Sequence, residues 1–175
     1  MKLQIAVVGF AGVEEYPKGN GPSQEHLQLA YEIGKAIAKQ KWILLTGGKG
    51  GIMDASSRGA QEESGITVGF LRGSKRFQAN KNTAIEVVTG FEEGGSEFTL
   101  VHSADALVVI GGGAGTLQEI TIAYRLGKPI IILSPIPLLK DVSFLDGRKK
   151  SALEKVNTPQ EAIEKLKEIR GKRSV

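Results

Sequence analysis

Two glycine-rich segments hold the residues of this chain most able to do chemistry. One reads Thr46-Gly47-Gly48-Lys49-Gly50-Gly51 and the other Gly111-Gly112-Gly113-Ala114-Gly115-Thr116-Leu117-Gln118-Glu119. Backbone without side chains lets a ligand come close to its amides, and both segments lead into stretches with helical character. The first amides of a helix lack partners and its dipole favours negative charge, so such ends bind phosphate. Gly9, Gly47, Gly48, Gly51, Gly111, Gly112, Gly113, Gly115 and Thr116 are the expected ligand- and phosphate-binding positions, with Arg72 as a further anion contact. Arg72 opens a loop, 72–83, that also holds Lys75, Arg76 and Lys81 and no acid. Tight turns beside a solvated basic loop are the alternative, but two such segments at one sheet edge favour a phosphate site.

Two other phosphate patterns are not met. The dinucleotide pattern G-x-G-x-x-G fails because Thr116 stands at the third glycine counted from Gly111. The P-loop pattern fails because Gly50-Gly51 follow Lys49. Thr116-Leu117-Gln118-Glu119 has two readings. T-x-x-E is a capping box at a helix start, and a carboxylate one turn into a helix beside a phosphate loop can also meet ribose hydroxyls or assist hydrolysis. Spacing leaves both open. His26 and His102 show no partner and are expected on helix surfaces, and Asp105 is expected to end a helix. With two histidines and no cysteine, no metal site is expected.

The elements that must position these residues alternate. Short apolar runs typical of buried parallel strands lie at 3–8, 42–46, 66–71, 85–89, 107–110 and 130–133. Helical patterns lie between them at 24–40, 52–64, 93–103 and 116–126. Ser23 is the expected N-cap of the first, and Gly65 the expected residue just past the second. Thr158-Pro159-Gln160-Glu161 opens a last helix with Thr as cap and Pro in the first turn, while 134–157 reads as irregular. Alternating strands and helices imply an α/β, Rossmann-like, three-layer α/β/α fold with a mostly parallel sheet of about six or seven strands. Residues 1–175 read as one domain, with a basic C-terminal helix and tail from about 158. Ligands of such sheets bind beyond the carboxyl ends of the strands, where the glycine segments fall.

Composition narrows the classes. The net charge of +4 is carried by residues 145–175, which hold nine basic and five acidic side chains. A solvated helix and terminus explain that excess, and a nucleic-acid partner is not expected. The start lacks a signal-peptide pattern and no apolar run reaches membrane-spanning length, so a cytoplasmic protein without a membrane partner is expected.

The two glycine segments, together with Ser103-Ala104-Asp105-Ala106-Leu107-Val108-Val109-Ile110, resemble the Lonely Guy (LOG), lysine decarboxylase-like superfamily. The similarity runs from about Lys2 to Leu133. Within it the chain looks like the molybdenum-cofactor-carrier-like branch, also described as DprA/Smf-related. The resemblance implies a homodimer or larger assembly. It also implies that Gly112, Gly113, Gly115 and Thr116 hold a phosphate and that Glu119 is the acidic site residue, catalytic if the chain is an enzyme. The family's Arg-Lys pair falls on Ser96-Glu97 here, and Gly111 replaces its proline. Cleaving an N-glycosidic bond needs charge stabilisation on both sides, and loss of one partner costs on the order of 100-fold in rate. The expected function is therefore binding of a nucleotide or a molybdopterin-type phosphorylated ligand. No cofactor is required, although a nucleotide or molybdenum cofactor would be bound. The alternative is a nucleoside 5′-monophosphate phosphoribohydrolase using Glu119, with Arg72 or Arg76 as the cation. Lysine decarboxylation is not expected.

Overall fold

The computed structural model describes residues 2–16, 20–92 and 94–172. The end of the basic tail, 173–175, and Glu93, at the expected start of a helix, lie outside the described residues. Seven strands, β1 (Gln4–Gly9), β2 (Ile43–Thr46), β3 (Ile66–Leu71), β4 (Ile85–Val88), β5 (Ala106–Ile110), β6 (Ile130–Ser134) and β7 (Leu153–Lys155), form one sheet in the order β4-β3-β2-β1-β5-β6-β7. Every neighbouring pair is parallel. Among the described residues five α-helices accompany them: α1 (Gln24–Lys39), α2 (Ile52–Glu62), α3 (Gly95–Ser103), α4 (Ala114–Arg125) and α5 (Pro159–Lys172).

Alternation along the central strands divides the core. Ile5, Val7, Val108 and Ile110 pack in one cluster with Ile33 and Ile37 of α1, Ala55 of α2 and Ile163 of α5. Ala6, Val8, Leu107 and Val109 pack in the other with Leu100 of α3 and Ile120 of α4. This is the three-layer Rossmann-like arrangement. The strand order reverses between β1 and β5, which are paired from Ile5↔Ala106 to Gly9↔Ile110. Their carboxyl ends therefore diverge into a crevice, the usual ligand position in open α/β sheets.

Several local expectations need correction. The span 134–157 is not wholly irregular, because β7 pairs beside β6 through Leu153, Glu154 and Lys155; three residues are too short to show a periodic signal. Helix α2 ends with Ser64, not Gly65, in the left-handed conformation at φ 54. Gly65 is needed for space, since a Cβ there would stand 2.5 Å from the Cβ of Ala38. Asp105 does more than follow a helix: its carboxylate accepts the Gln4 amide at 2.8 Å and its own amide donates to the Gln4 carbonyl at 2.7 Å, tying together the starts of β1 and β5.

Candidate functional site

A cavity of about 380 Å³ opens at the carboxyl ends of β1 and β5. Helix α4 supplies one wall because of how the chain turns after β5. Gly111 and Gly112 take φ values of 58 and 119, which an L side chain adopts only under strain, and leave Gly113 extended as the N-cap. The first bond within α4 runs from the Leu117 amide to the Gly113 carbonyl at 3.0 Å. The amides of Ala114, Gly115 and Thr116 consequently have no partner within the helix, and all three residues line the cavity.

The capping-box reading of Thr116 and Glu119 fails here. Helix α4 starts two residues before Thr116, which lies inside its first turn. The Thr116 hydroxyl donates to the Gly9 carbonyl at 3.2 Å, fastening α4 to the end of β1. Glu119, released from any capping role, points its chemistry elsewhere. It lines the cavity with only 8% of its surface exposed. Burial, and secondarily the nearby Glu97 carboxylate, push its carboxyl up to about 8, so at neutral pH it is an uncharged acid able to donate a hydrogen bond.

A stability prediction follows from that shift. Between the ordinary value of 4.5 and about 8, the folded protein keeps a proton that the unfolded chain releases. The resulting stabilisation is fully present at acid pH and is lost as pH rises through that window. Glu119→Gln should flatten this decline, which amounts to a few kcal/mol in order of magnitude. Denaturant titrations at a series of pH values for both proteins will measure it, and parallel curves would contradict the assignment.

Sequence-predicted positions divide between the cavity and its supports. Gly9, Gly47, Arg72, Gly113, Gly115, Thr116 and Glu119 line the cavity. Gly111 and Gly112 lie behind it as the turn, with the Phe10 ring packed against Gly111. Gly48 backs onto Gly69 of β3, and Gly51 sits beneath the Phe10 and Ala11 carbonyls. That last contact matters. The Ile52 amide at the start of α2 donates to the Phe10 carbonyl at 3.0 Å, so the chain itself takes up one of the three first-turn amides of this helix. The two helix starts are not equivalent: the Ala114, Gly115 and Thr116 amides of α4 all lack a backbone partner among the described residues, whereas α2 has given up that of Ile52.

Residues without an assigned role complete the setting. Lys49 lines the cavity, and its ammonium donates to the Gln78 carbonyl at 3.1 Å. Arg76 stacks over Phe77 at 4.9 Å and does not line the cavity, unlike Arg72. Ser96 and Glu97 both line it. His26 has partners after all: its ring nitrogen accepts the Ser23 amide, completing a capping box at the start of α1, and its Nε2 is hydrogen-bonded to Ser134 Oγ at 3.0 Å. The three-residue spacing from Ser23 to His26 was the available signal. His102 lies on the surface of α3 as expected, but it too has a partner: its Nδ1 is hydrogen-bonded to the Phe98 carbonyl at 2.9 Å, and its ring packs against that of Phe98. Among the described residues no group of three or more His, Cys, Asp and Glu forms a metal site, and no helix is long and apolar enough to cross a membrane.

Comparison with known proteins agrees with the fold. The model of the SLOG cluster4 family matches residues 2–163. A cytokinin riboside 5′-monophosphate phosphoribohydrolase of Mycobacterium tuberculosis is 29% identical over 143 residues, 77% of this chain and 76% of that protein. Among solved structures, a molybdenum cofactor binding protein from Rippkaea orientalis is similar with a TM-score of 0.84 at 29% identity, covering 97% of this chain and 98% of the other. The molybdenum cofactor carrier protein of Chlamydomonas reinhardtii gives a TM-score of 0.83 at 30% identity, covering 98% and 99%.

Proposed function

This chain belongs to the SLOG cluster4 family, and from that membership and the cavity at the β1–β5 crevice we propose that it binds a phosphorylated small molecule, a nucleotide or a molybdopterin-type ligand. The open amides of Ala114, Gly115 and Thr116 carry the proposal. They present positive partial charge to a cavity of about 380 Å³, at the place where strand order reverses. Gly9, Gly47 and Gly113 keep the walls low beside that end, Arg72 adds positive charge, and neutral Glu119 donates to a ligand oxygen. Gly48, Gly51, Gly111 and Gly112 act as the frame. A molybdopterin-type ligand is compatible with these residues through its phosphate, as cargo. The carrier and binding proteins among the structural relatives support this ligand class.

Calorimetric titration of the purified protein with AMP, GMP and a molybdopterin preparation tests the reading. Saturable binding lost on adding excess inorganic phosphate is expected. Heat changes indistinguishable from dilution for all three would refute it.

A second reading has one observation in its favour. A neutral buried acid, Glu119, stands near a carboxylate, Glu97, in one cavity. That pairing suits protonation of a leaving base with stabilisation of a ribosyl cation, and the relative from M. tuberculosis is a phosphoribohydrolase. Of the two arginines considered as a replacement cation, only Arg72 lines the cavity. Chromatography after incubation with purine mononucleotides decides the matter: free base that disappears in Glu119→Gln would establish turnover, and its absence leaves the binding reading. The homodimer expectation stays within the proposal, supported by exposed Phe91 and Phe98 beside and on α3; sedimentation gives the mass.

A further inference from the structure

The amide end of α4 is flanked by two acids, and the Glu97 carboxylate repels the phosphate that the amides attract. A Cβ placed on Gly115, in the first turn of α4, would stand 4.0 Å from Glu97 Oε1. The Glu97 side chain is held in that position. Its Oε2 accepts the Gly94 amide at 2.9 Å and the Ser96 hydroxyl at 2.7 Å, while Oε1 carries no hydrogen bond among the described residues and lies beside the cavity. Glu119 lines the same cavity from the next turn of α4, more than nine-tenths buried, and its carboxyl has no hydrogen-bond partner among the described residues. A carboxyl that faces a cavity without a protein partner is available to a ligand there.

We infer that a divalent cation of the magnesium type binds together with the phosphorylated ligand, bridging Glu97 Oε1 and the Glu119 carboxylate to the phosphate oxygens over the start of α4. This rests on the phosphate reading given above. Magnesium is held in this manner elsewhere, by one or two carboxylates plus phosphate oxygens with water filling the remaining positions. The two carboxylates are hard oxygen donors, and neither histidine nor cysteine lines the cavity, although the Met53 thioether does, so a hard divalent cation suits the pair best. Two carboxylates alone supply too few ligands, so cation and phosphate each complete the other's site. When the cation enters, Glu119 releases to solvent the proton with which it meets the ligand oxygen in the cation's absence.

The test is calorimetry of AMP binding to the whole protein in EDTA and in millimolar MgCl2, repeated with Glu97→Gln. In the native protein Mg2+ should tighten AMP about tenfold or more, as expected when a dication replaces carboxylate–phosphate repulsion at a few ångströms. In Glu97→Gln, which keeps an acceptor for the Gly94 amide, AMP should bind more tightly in EDTA than to the native protein, and the response to Mg2+ should be lost. AMP binding that ignores Mg2+, or a Mg2+ response that survives in Glu97→Gln, would overturn the cation bridge while leaving the phosphate reading in place. No binding in either buffer would remove the phosphate reading and the bridge with it.

Discussion

Gly113→Val should weaken nucleotide binding at least a hundredfold while moving the thermal unfolding midpoint by only a few degrees. Position 113 is the N-cap of α4 at φ −121 and ψ −145, outside the left-handed region that would reserve it for glycine. A Cβ built there meets nothing within 4 Å, so the protein has room for the new side chain. The room is the cavity itself. Two methyl groups would stand where a phosphate must approach the Ala114, Gly115 and Thr116 amides, and at least one charge-assisted hydrogen bond, worth about 1.5–3 kcal/mol, would be lost along with the space. Exchanging glycine for a β-branched residue at an N-cap costs about 1 kcal/mol, or roughly 2–4 °C in a chain of this size. Calorimetry and a thermal melt on the same preparation measure both. Unchanged affinity would mean that the ligand sits elsewhere, whereas a lost fold would mean that the space at 113 is structural.

Gly34→Val should behave in the opposite manner, and even Gly34→Ala should lower stability severely. Helices α1 and α2 meet at their backbones. A Cβ on Gly34 would stand 2.0 Å from the Ser56 carbonyl oxygen, and one on Gly59 would stand 2.0 Å from the Tyr31 carbonyl oxygen. No rotamer relieves a clash between a Cβ and a carbonyl. The helices would have to separate, loosening Ile33, Ile37, Ala55 and Ala60, which are buried between them and the sheet. Overpacking of this kind lies in the tail of substitution effects, about 3–5 kcal/mol, against a total of about 5–15 kcal/mol for a typical domain. Urea titration of Gly34→Ala, with expression of the Val variant monitored for insolubility, reads the effect. A midpoint equal to that of the native chain would show that α1 and α2 are not in backbone contact.

These two positions explain why parts of the site were legible in the sequence and parts were not. Gly34 and Gly113 are the same letter. One fills a helix crossing and the other lines a cavity, and only the distance to a neighbour far along the chain separates them. The same holds for the loop 47–51. Its composition matched that of 111–115, but the Phe10 carbonyl occupies the Ile52 amide, a contact across 42 positions that no local pattern reveals. Thr116 and Glu119 were ambiguous for a related reason. Their spacing fits a cap, and the fold overrides it because Gly113 starts the helix early. The resemblance puts Glu97, an acid, where the family carries a lysine, and only its approach to Gly115 shows that this acid faces the proposed phosphate position.

What the sequence by itself determined was the order and type of the first six strands and of the helices, the parallel sheet and the edge at which the glycine-rich loops gather; β7 (Leu153–Lys155) was not among them. Those follow from local hydrophobic period and from glycine punctuation, which act over a few residues. Only the tertiary structure decided that α2 gives its first amide to the Phe10 carbonyl while α4 keeps all three, which acid is buried and which glycines hold helices together. Those outcomes depend on solvent exclusion and on contacts between residues distant in the chain, and neither has a local signature.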